Sequence, residues 1–598
     1  MSPDMNSSLR KRSRPSSETS RPAYPRKRAA QACYTCRRRR TKCDNERPAC
    51  TSCMKLEVEC VYQESDKSSF DSASLAILQR LDILEDLFKT AHPETLGPRE
   101  IPDQQTPDAT PQFITSTVPE RTLPSEVYCI NIETALEWPA LQVPNQIPRR
   151  ALKSITQSNN SNQRPRLLST SDLDSTDTGL LLQHFLESFH IYNPVLEISR
   201  IEECVNSTVY NGLGWDSESC ISLLIFALGT IAVPDVRANS DTSMALRQSE
   251  QFRRAESFFL AAQRRMGPAL CYNGIIEAQI FFLAGVYLMT TMRPFEAWRM
   301  FIQALACCQT LQPSSSDQQQ EGSQMYRSIY WTCFKSELEL RLELNITENS
   351  VWNLQYPEFF PAPPKSLQSQ GEGTWYFYLA EIALRRLGNR ILTHTCQFKS
   401  SESSVADQVS KTIDFEQQAY SWLDSLPNSL RLEGPLSDII DGNPEHAPLR
   451  FILNGHLLDC YEMMYWPFMV DEIHGVLHVD PSARVFAQKG FEICVRRIKE
   501  NESGFQHRHH GTWLMLRSCT RSALVLLAAA RSSLDDMLPA EWRSCITKVM
   551  ELLRYWKDEV SDAASRLLIL DELLRSISQS GTDASVAKTC LDTELVLQ

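Results

Sequence analysis

The stretch that decides the reading is CYTCRRRRTKCDNERPACTSCMKLEVEC, residues 33–60. It holds six cysteines and seven Lys/Arg in 28 residues. The spacing is Cys33-x2-Cys36-x6-Cys43-x6-Cys50-x2-Cys53-x6-Cys60, two copies of C-x2-C-x6-C joined by a six-residue loop. A C-x2-C pair is suited to chelating one tetrahedral Zn²⁺ through two thiolates. A thioredoxin-like redox pair would need a βαβ setting that the neighbouring sequence lacks. Two tetrahedral zincs need eight ligand positions and six cysteines supply six, so two thiolates must bridge both metals. The repeat makes Cys33 and Cys50 equivalent, and hence the symmetric bridging candidates. A single four-cysteine zinc site with two spare thiols is the other arrangement the spacing permits.

Outward from this stretch, charge divides the 598-residue chain. Residues 1–62 carry a net charge of +9 and the remainder −21, within an overall −12. A basic head on an acidic body points to a polyanionic partner for the head alone. The first 32 residues are polar and basic with no apolar h-region, so no secretory signal is expected. The longest apolar runs, such as ISLLIFALGTIAV (221–233), fall short of the roughly 20 residues a bilayer requires, and no membrane partner is expected. The sequons at Asn206 and Asn345 are accordingly read as chance matches. Thirteen further cysteines scatter through helical patterns, as in FIQALACCQT, like reduced cysteines packed as small hydrophobes.

The cysteine stretch resembles the fungal binuclear zinc cluster, a six-cysteine DNA-binding domain. All six spacings match, as do Arg37, the run Lys42-Cys43-Asp44, and Pro48. The resemblance implies two zincs bridged by Cys33 and Cys50. Cys36 and Cys43 would complete one, and Cys53 and Cys60 the other. It also implies double-stranded DNA as partner, with the short helix after the second cysteine in the major groove over a CGG-type triplet. The matching base-reading positions are Arg39 and Arg40. The commonest pattern has Lys where Arg40 stands; Arg still addresses guanine O6 and N7, bidentately. Arg37 and Lys42 are assigned to phosphates, which add affinity without sequence information.

Basic runs Arg10-Lys11-Arg12 and Arg26-Lys27-Arg28 read as a nuclear-import signal or a DNA-binding arm, placing the chain in the nucleus. After the polar linker YQESDKSSFDSA comes SLAILQRLDILEDLFKT (74–90). Ile77, Leu81, Leu84 and Phe88 fall at spacings of four, three and four, an a/d seam of about two heptads. A homodimerising coiled coil and an amphipathic helix packed on the body are both compatible with it. Residues 93–175 hold eleven of the 32 prolines and read as a flexible connector. One apolar patch there, IETALEWPAL (132–141), is a candidate for docking onto the body, with no chemistry of its own.

From 176 to 576 the pattern is helical. Asp216 is placed to cap a helix over 217–233 that Pro234 ends. Phe295, Trp298, Ile302 and Leu305 share one helical face, and final helices are expected over 511–531, 540–556 and 559–576. The segments HFLESFHIYNPVLEISRIE, AESFFLAAQRRMG, EAWRMFIQALACCQTL, YRSIYWTCFKSELEL and YPEFFPAPP resemble the helical regulatory domain that accompanies such clusters. That resemblance implies a regulatory region open to coactivators or a small-molecule effector, and identifies no effector. FQHRHHGTW (505–513) offers His507, His509 and His510, which we read as residues near a helix start rather than metal ligands. No G-x-x-x-x-G-K-[ST], G-x-S-x-G or H-E-x-x-H is present, and NGLGW lacks the third glycine of a dinucleotide loop, so no enzyme is expected. The tail from 577 is polar, ends LDTELVLQ and is expected to fray.

The expected architecture is therefore a basic arm (1–32), a zinc-stapled module with two short helices (33–60), a linker with a short coiled coil (61–92), the connector (93–175), a large all-α regulatory domain (176–576) and a tail (577–598). The expected function is sequence-specific control of RNA polymerase II promoters through two zinc ions and CGG-like triplets. Activation of a metabolic pathway, such as a secondary-metabolite cluster, is what the resemblance favours. A zinc-dependent interaction or corepressor scaffold without its own DNA specificity is the competing reading.

Overall fold

The computed structural model describes residues 33–60 (without 40, 42, 45–47 and 57), 125–142, 175–232, 243–310 (without 273), 321–346 (without 345), 372–398, 405–432, 446–476 and 481–595. The chain divides into two compact units, Met1–Thr117 and Val118–Gln598. The expected basic arm and the 74–90 seam, with Ile77, Leu81, Leu84 and Phe88, lie outside the described residues.

In the first unit, α1 (Tyr34–Arg38) and α2 (Thr51–Lys55) each follow a cysteine. Its core is made of cysteine: Cys33, Cys36, Cys50 and Cys53 are buried, with Cys43, Val58 and Cys60 packed against them.

The second unit is helical, and among its described residues there is no strand. It begins with α3 (Ile132–Glu137), α4 (Ser175–Ser188), α5 (Ile198–Asn211), α6 (Ser217–Ala232), α7 (Met244–Gln248), α8 (Glu250–Gln263) and α9 (Met266–Ala269). Then come α10 (Ile275–Thr290), α11 (Pro294–Thr310), α12 (Glu321–Glu343), α13 (Glu372–Phe398) and α14 (Val405–Asp424). The last five are α15 (Ala447–Ile473), α16 (Pro481–Asn501), α17 (Thr512–Arg531), α18 (Trp542–Trp556) and α19 (Ala563–Leu595). Asp216 caps α6 as expected, its Oδ1 accepting the Ser219 N–H at 2.7 Å. Helix α6 is buried along nearly its whole length and is surrounded by α4, α5, α8 and α10. The α4 backbone comes so close that a Cβ on Gly229 would stand 2.0 Å from the Leu181 carbonyl oxygen.

On α11 the deeply buried face is Ala297, Phe301, Ala304, Leu305 and Cys308. Phe295 and Trp298 are only half-buried against it, so the seam is rotated from the expected one. Helix α17 is long and apolar enough to cross a membrane, but 83% of its apolar window is buried inside the unit. It packs on α3, α16, α18 and α19. Helix α19 continues past the expected end at 576 to Leu595.

The apolar patch at 132–141 is part of this body. Asn131 caps α3 through Thr134 N, and Ile132, Ala135, Leu136, Trp138 and Leu141 are buried in the common core. Trp138 packs on Trp466 with ring centroids 5.5 Å apart.

Candidate zinc centre and nucleic-acid interface

The module is built on a repeated local device. Cys33 Sγ accepts the Cys36 N–H at 3.4 Å at the start of α1, and Cys50 Sγ accepts the Cys53 N–H at 3.4 Å at the start of α2. The equivalence of Cys33 and Cys50 in the sequence is thus an equivalence of structure. Across the two turns, Cys33–Cys50, Cys33–Cys53, Cys36–Cys50 and Cys36–Cys53 sulfurs are 3.8, 3.6, 3.6 and 3.9 Å apart. With a Zn–S bond of about 2.3 Å, the edge of a zinc tetrahedron is about 3.8 Å. Cys43 approaches Cys50 beside Asp44. Cys60 Sγ accepts the Cys50 N–H at 3.3 Å and exchanges hydrogen bonds with Cys33, Cys50 and Cys53. Cys50 is the sulfur that belongs to every grouping.

Around the sulfurs, the Asp44 carboxylate accepts Thr51 N–H at 3.1 and 3.2 Å, and Thr35 Oγ1 donates to the Glu59 carbonyl at 2.8 Å. Burial pushes the Cys33 thiol up to about 12 and raises Cys53 as well, whereas the Cys50 N–H draws Cys60 down. Thiolate charge at so crowded a point requires a cation among the sulfurs, so the donor set fits zinc and its chemistry matches a soft-ligand site.

Arg38 and Arg39 are exposed, at the end of α1 and in the turn that follows. The Arg39 N–H continues the helical pattern to Thr35 O at 3.1 Å. Arg37 lies on α1 by its backbone. Arg40, Lys42 and the upstream basic runs Arg10–Arg12 and Arg26–Arg28 lie outside the described residues.

The three histidines of 505–513 do not gather into a metal group. His509 Nδ1 accepts the Gly511 N–H at 3.0 Å just before α17, and the His510 ring lies against Tyr192, tilted by 59°, with centroids 5.3 Å apart. What sequence reasoning missed is a buried ionic network in the second unit. Arg497 donates to Asp459 at 2.7 Å and to Glu462 at 3.0 Å. Arg521 donates to Glu462 at 2.9 and 2.7 Å and also pairs with Glu343. Arg517 reaches Glu133 of α3 at 2.6 Å, Glu343 at 2.9 Å and Asp562 at 3.5 Å. Two arginines one turn apart in the apolar LMLRSCTRSALVLL were the available signal. Glu339, His456 and Asp459 also converge. However, Arg385 donates to Glu339 at 2.9 Å and bonds His456 at 3.1 Å, so a cation already occupies the charge there.

A cysteine-cored module of this construction defines a zinc-cluster domain. Residues 31–69 match the fungal Zn(2)-Cys(6) binuclear cluster domain, and the chain carries that domain and its zinc. Among curated relatives, "Putative transcription factor ecdB" of Aspergillus rugulosus is 24% identical over 482 residues, covering 74% of this chain and 78% of that protein. "Transcription factor FBD3" of Gibberella moniliformis is 37% identical over 71 residues, 12% of this chain and 9% of its own. "Oleate activated transcription factor 3" of Kluyveromyces lactis is 49% identical over 43 residues, 7% of this chain and 6% of its own.

Proposed function

We propose that the protein is a nuclear, sequence-specific DNA-binding transcription factor acting at RNA polymerase II promoters. The observation that carries this reading is the paired Cys33/Cys50 helix starts, which gather the thiols of a zinc site next to the exposed Arg38 and Arg39. The similarity to proteins named as transcription factors supports it.

The six thiolates would hold two zincs, with Cys33 and Cys50 shared between them, Cys36 and Cys43 serving one and Cys53 and Cys60 the other. Bound zinc supplies structural cross-linking, and the thiolates hold α1 and α2 at a fixed mutual angle. Helix α1 enters the major groove. Arg39 and Arg40 read a CGG-like triplet by donating to guanine O6 and N7, while Arg37 and Lys42 contact phosphates. Residues 10–12 and 26–28 carry nuclear import. Ile77, Leu81, Leu84 and Phe88 pair two copies, so that linker geometry sets the separation of two triplets. The helical body regulates output, activating genes of a metabolic pathway. No catalytic step belongs to this reading.

The test is selection of the zinc-loaded full chain against a random duplex library at physiological salt, because salt governs apparent specificity. Enrichment of paired CGG triplets at fixed spacing is expected. A single triplet removes the dimer. No enrichment by zinc-loaded protein overturns the DNA reader and leaves the scaffold reading.

A further inference from the structure

The helical unit contains a cavity of about 350 Å³, within the range of roughly 300–1,000 Å³ typical of small-molecule sites. Its walls come from α10 to α13 and α15 to α17, and its rim includes Tyr128, Cys129, Ile130 and Asn131, the segment leading into α3. That rim is fastened to the body. Tyr128 donates to Asp471, and Trp138 Nε1 donates to Val127 O at 3.2 Å.

Much of the wall is aromatic or soft, including Trp331, Phe334, Phe377 and Met463. The charged groups in it are already committed to one another. Lys335 pairs with Glu381, Arg385 with Glu339, Arg497 with Asp459 and Glu462, and Arg521 with Glu462 and Glu343. A ligand bearing a net charge would have to break one of these buried pairs, which strands its partner. Two polar groups are differently placed. The Tyr192 hydroxyl and the His510 ring line the cavity side by side, ring centroids 5.3 Å apart. Both are half-buried and neither is hydrogen-bonded to a described residue, and the buried Asn193 Oδ1 in the same wall also lacks a partner among the described residues. Buried polar groups favour a partner, and here the open side is the cavity.

We propose that this cavity binds an uncharged, predominantly apolar small molecule that presents a hydroxyl or carbonyl to Tyr192 and His510, beneath the rim formed by residues 128–131. The aromatic walls give affinity, the two polar groups give orientation, and the closed ion pairs exclude ionic ligands. The site lies wholly within the helical unit and stands whether or not the chain reads DNA.

Gly455 supplies a clean test. It lines the cavity on helix α15, and a Cβ there would meet nothing within 4 Å. Gly455→Phe therefore fills the space without a backbone clash. Removing a helix-interior glycine also raises helix propensity. The zinc-loaded full chain is titrated with prodan, an uncharged flat fluorophore bearing one ketone, and with the anionic anilinonaphthalene sulfonate. Saturable one-to-one binding of prodan with blue-shifted emission is expected, together with slowed amide exchange over residues 125–142. Binding should weaken more than about tenfold in Gly455→Phe, with no fall in Tm, and remain in Gly455→Ala. Tyr192→Phe should weaken it several-fold. No saturable prodan binding by the wild-type chain, undiminished binding by Gly455→Phe, or preference for the anion would each overturn the proposal. Because no arm contains DNA, its failure leaves the DNA-binding reading untouched, and the reverse also holds.

Discussion

The two units solve the same problem of holding a chain together with opposite means. In the first, the buried core is four thiols within 21 residues of one another, flanked by two helices of five residues each. In the second, the core is a continuous cluster running from Ile132 to Leu573, crossed by buried ion pairs that join residues hundreds of positions apart. Among its described residues the first has almost nothing apolar to bury beyond its cysteines, so the fold of residues 33–60 belongs to its metal. The second is held by helices that are long, apolar and mutually covered.

The largest expected effect breaks this contrast at its root. Structural zinc in small modules is worth on the order of 10–16 kcal/mol at neutral pH, all of it folding energy. Chelating the zinc, or replacing Cys36 by Ser, should therefore unfold residues 33–60 and abolish DNA binding. The melting of the helical unit should stay unmoved. Limited proteolysis with and without chelator reads both units at once. A Cys36→Ser protein that keeps its normal affinity for DNA would show that the module does not depend on the thiolates.

The second effect tests whether the body relies on its buried charges. Glu462 is 1% exposed and serves both Arg497 and Arg521. Removing one partner of a buried pair costs about 3–5 kcal/mol, since the remaining charges are stranded. Glu462→Ala should lower the stability of the helical unit by that amount in denaturant melts and leave zinc content unchanged. A loss well under this would mean that water reaches the arginines.

Legibility in the sequence followed the same division. The zinc site was readable because its ligands sit at fixed short spacings, with two C-x2-C pairs of the kind that chelates zinc repeated in one stretch. Helices were readable in the body from apolar periodicity, and α6 begins where Asp216 was expected to cap it, while Pro234 lies outside the described residues. Which helices touch was not readable, because apolar faces are interchangeable in pattern. The segment at 132–141 shows the limit. Its apolar pattern marked it as a candidate for docking onto the body, as it does, but the partner of Glu133, Arg517 384 residues away, was not readable. The polar composition of the tail likewise suggested fraying, while α19 carries its helix through to Leu595.

A third effect, acid sensitivity, belongs to the body. Burial lowers His190 and His510 to about 4; near His510, Lys335 and His456 act in the same sense and Glu381 opposes them. A histidine depressed in the folded state contributes stability above its unfolded value near 6.5, and that contribution is lost as pH falls towards 4. At 1.36 kcal/mol per pH unit this is about 3 kcal/mol for each at most. His456 runs the other way. Burial and Arg385 would lower it, but Asp459 and Glu381 hold it raised, so its contribution grows as pH falls and offsets part of the loss. The Tm of the helical unit should thus decline between pH 6.5 and 4, and His190→Phe should flatten that decline. An unchanged slope in the variant would remove His190 from the account.

The smallest effect compares one device in its two settings. At α2, Cys50 Sγ accepts the N–H of Cys53, three residues on, at 3.4 Å; at α6, Asp216 Oδ1 accepts the N–H of Ser219, three residues on, at 2.7 Å. Both close the first turn of a helix with a side-chain acceptor. In the body that contact is one small increment among many, because α6 is held by burial on every side. Asp216→Ala should cost about 1 kcal/mol and Asp216→Asn much less, since the amide oxygen still accepts. In the module the same position also anchors the metal, so Cys50→Ser should abolish the fold although the hydroxyl can cap a helix at least as well as a thiol. Equal, small losses at the two caps would mean that the module has a source of stability other than zinc, and the division between the two units would have to be redrawn.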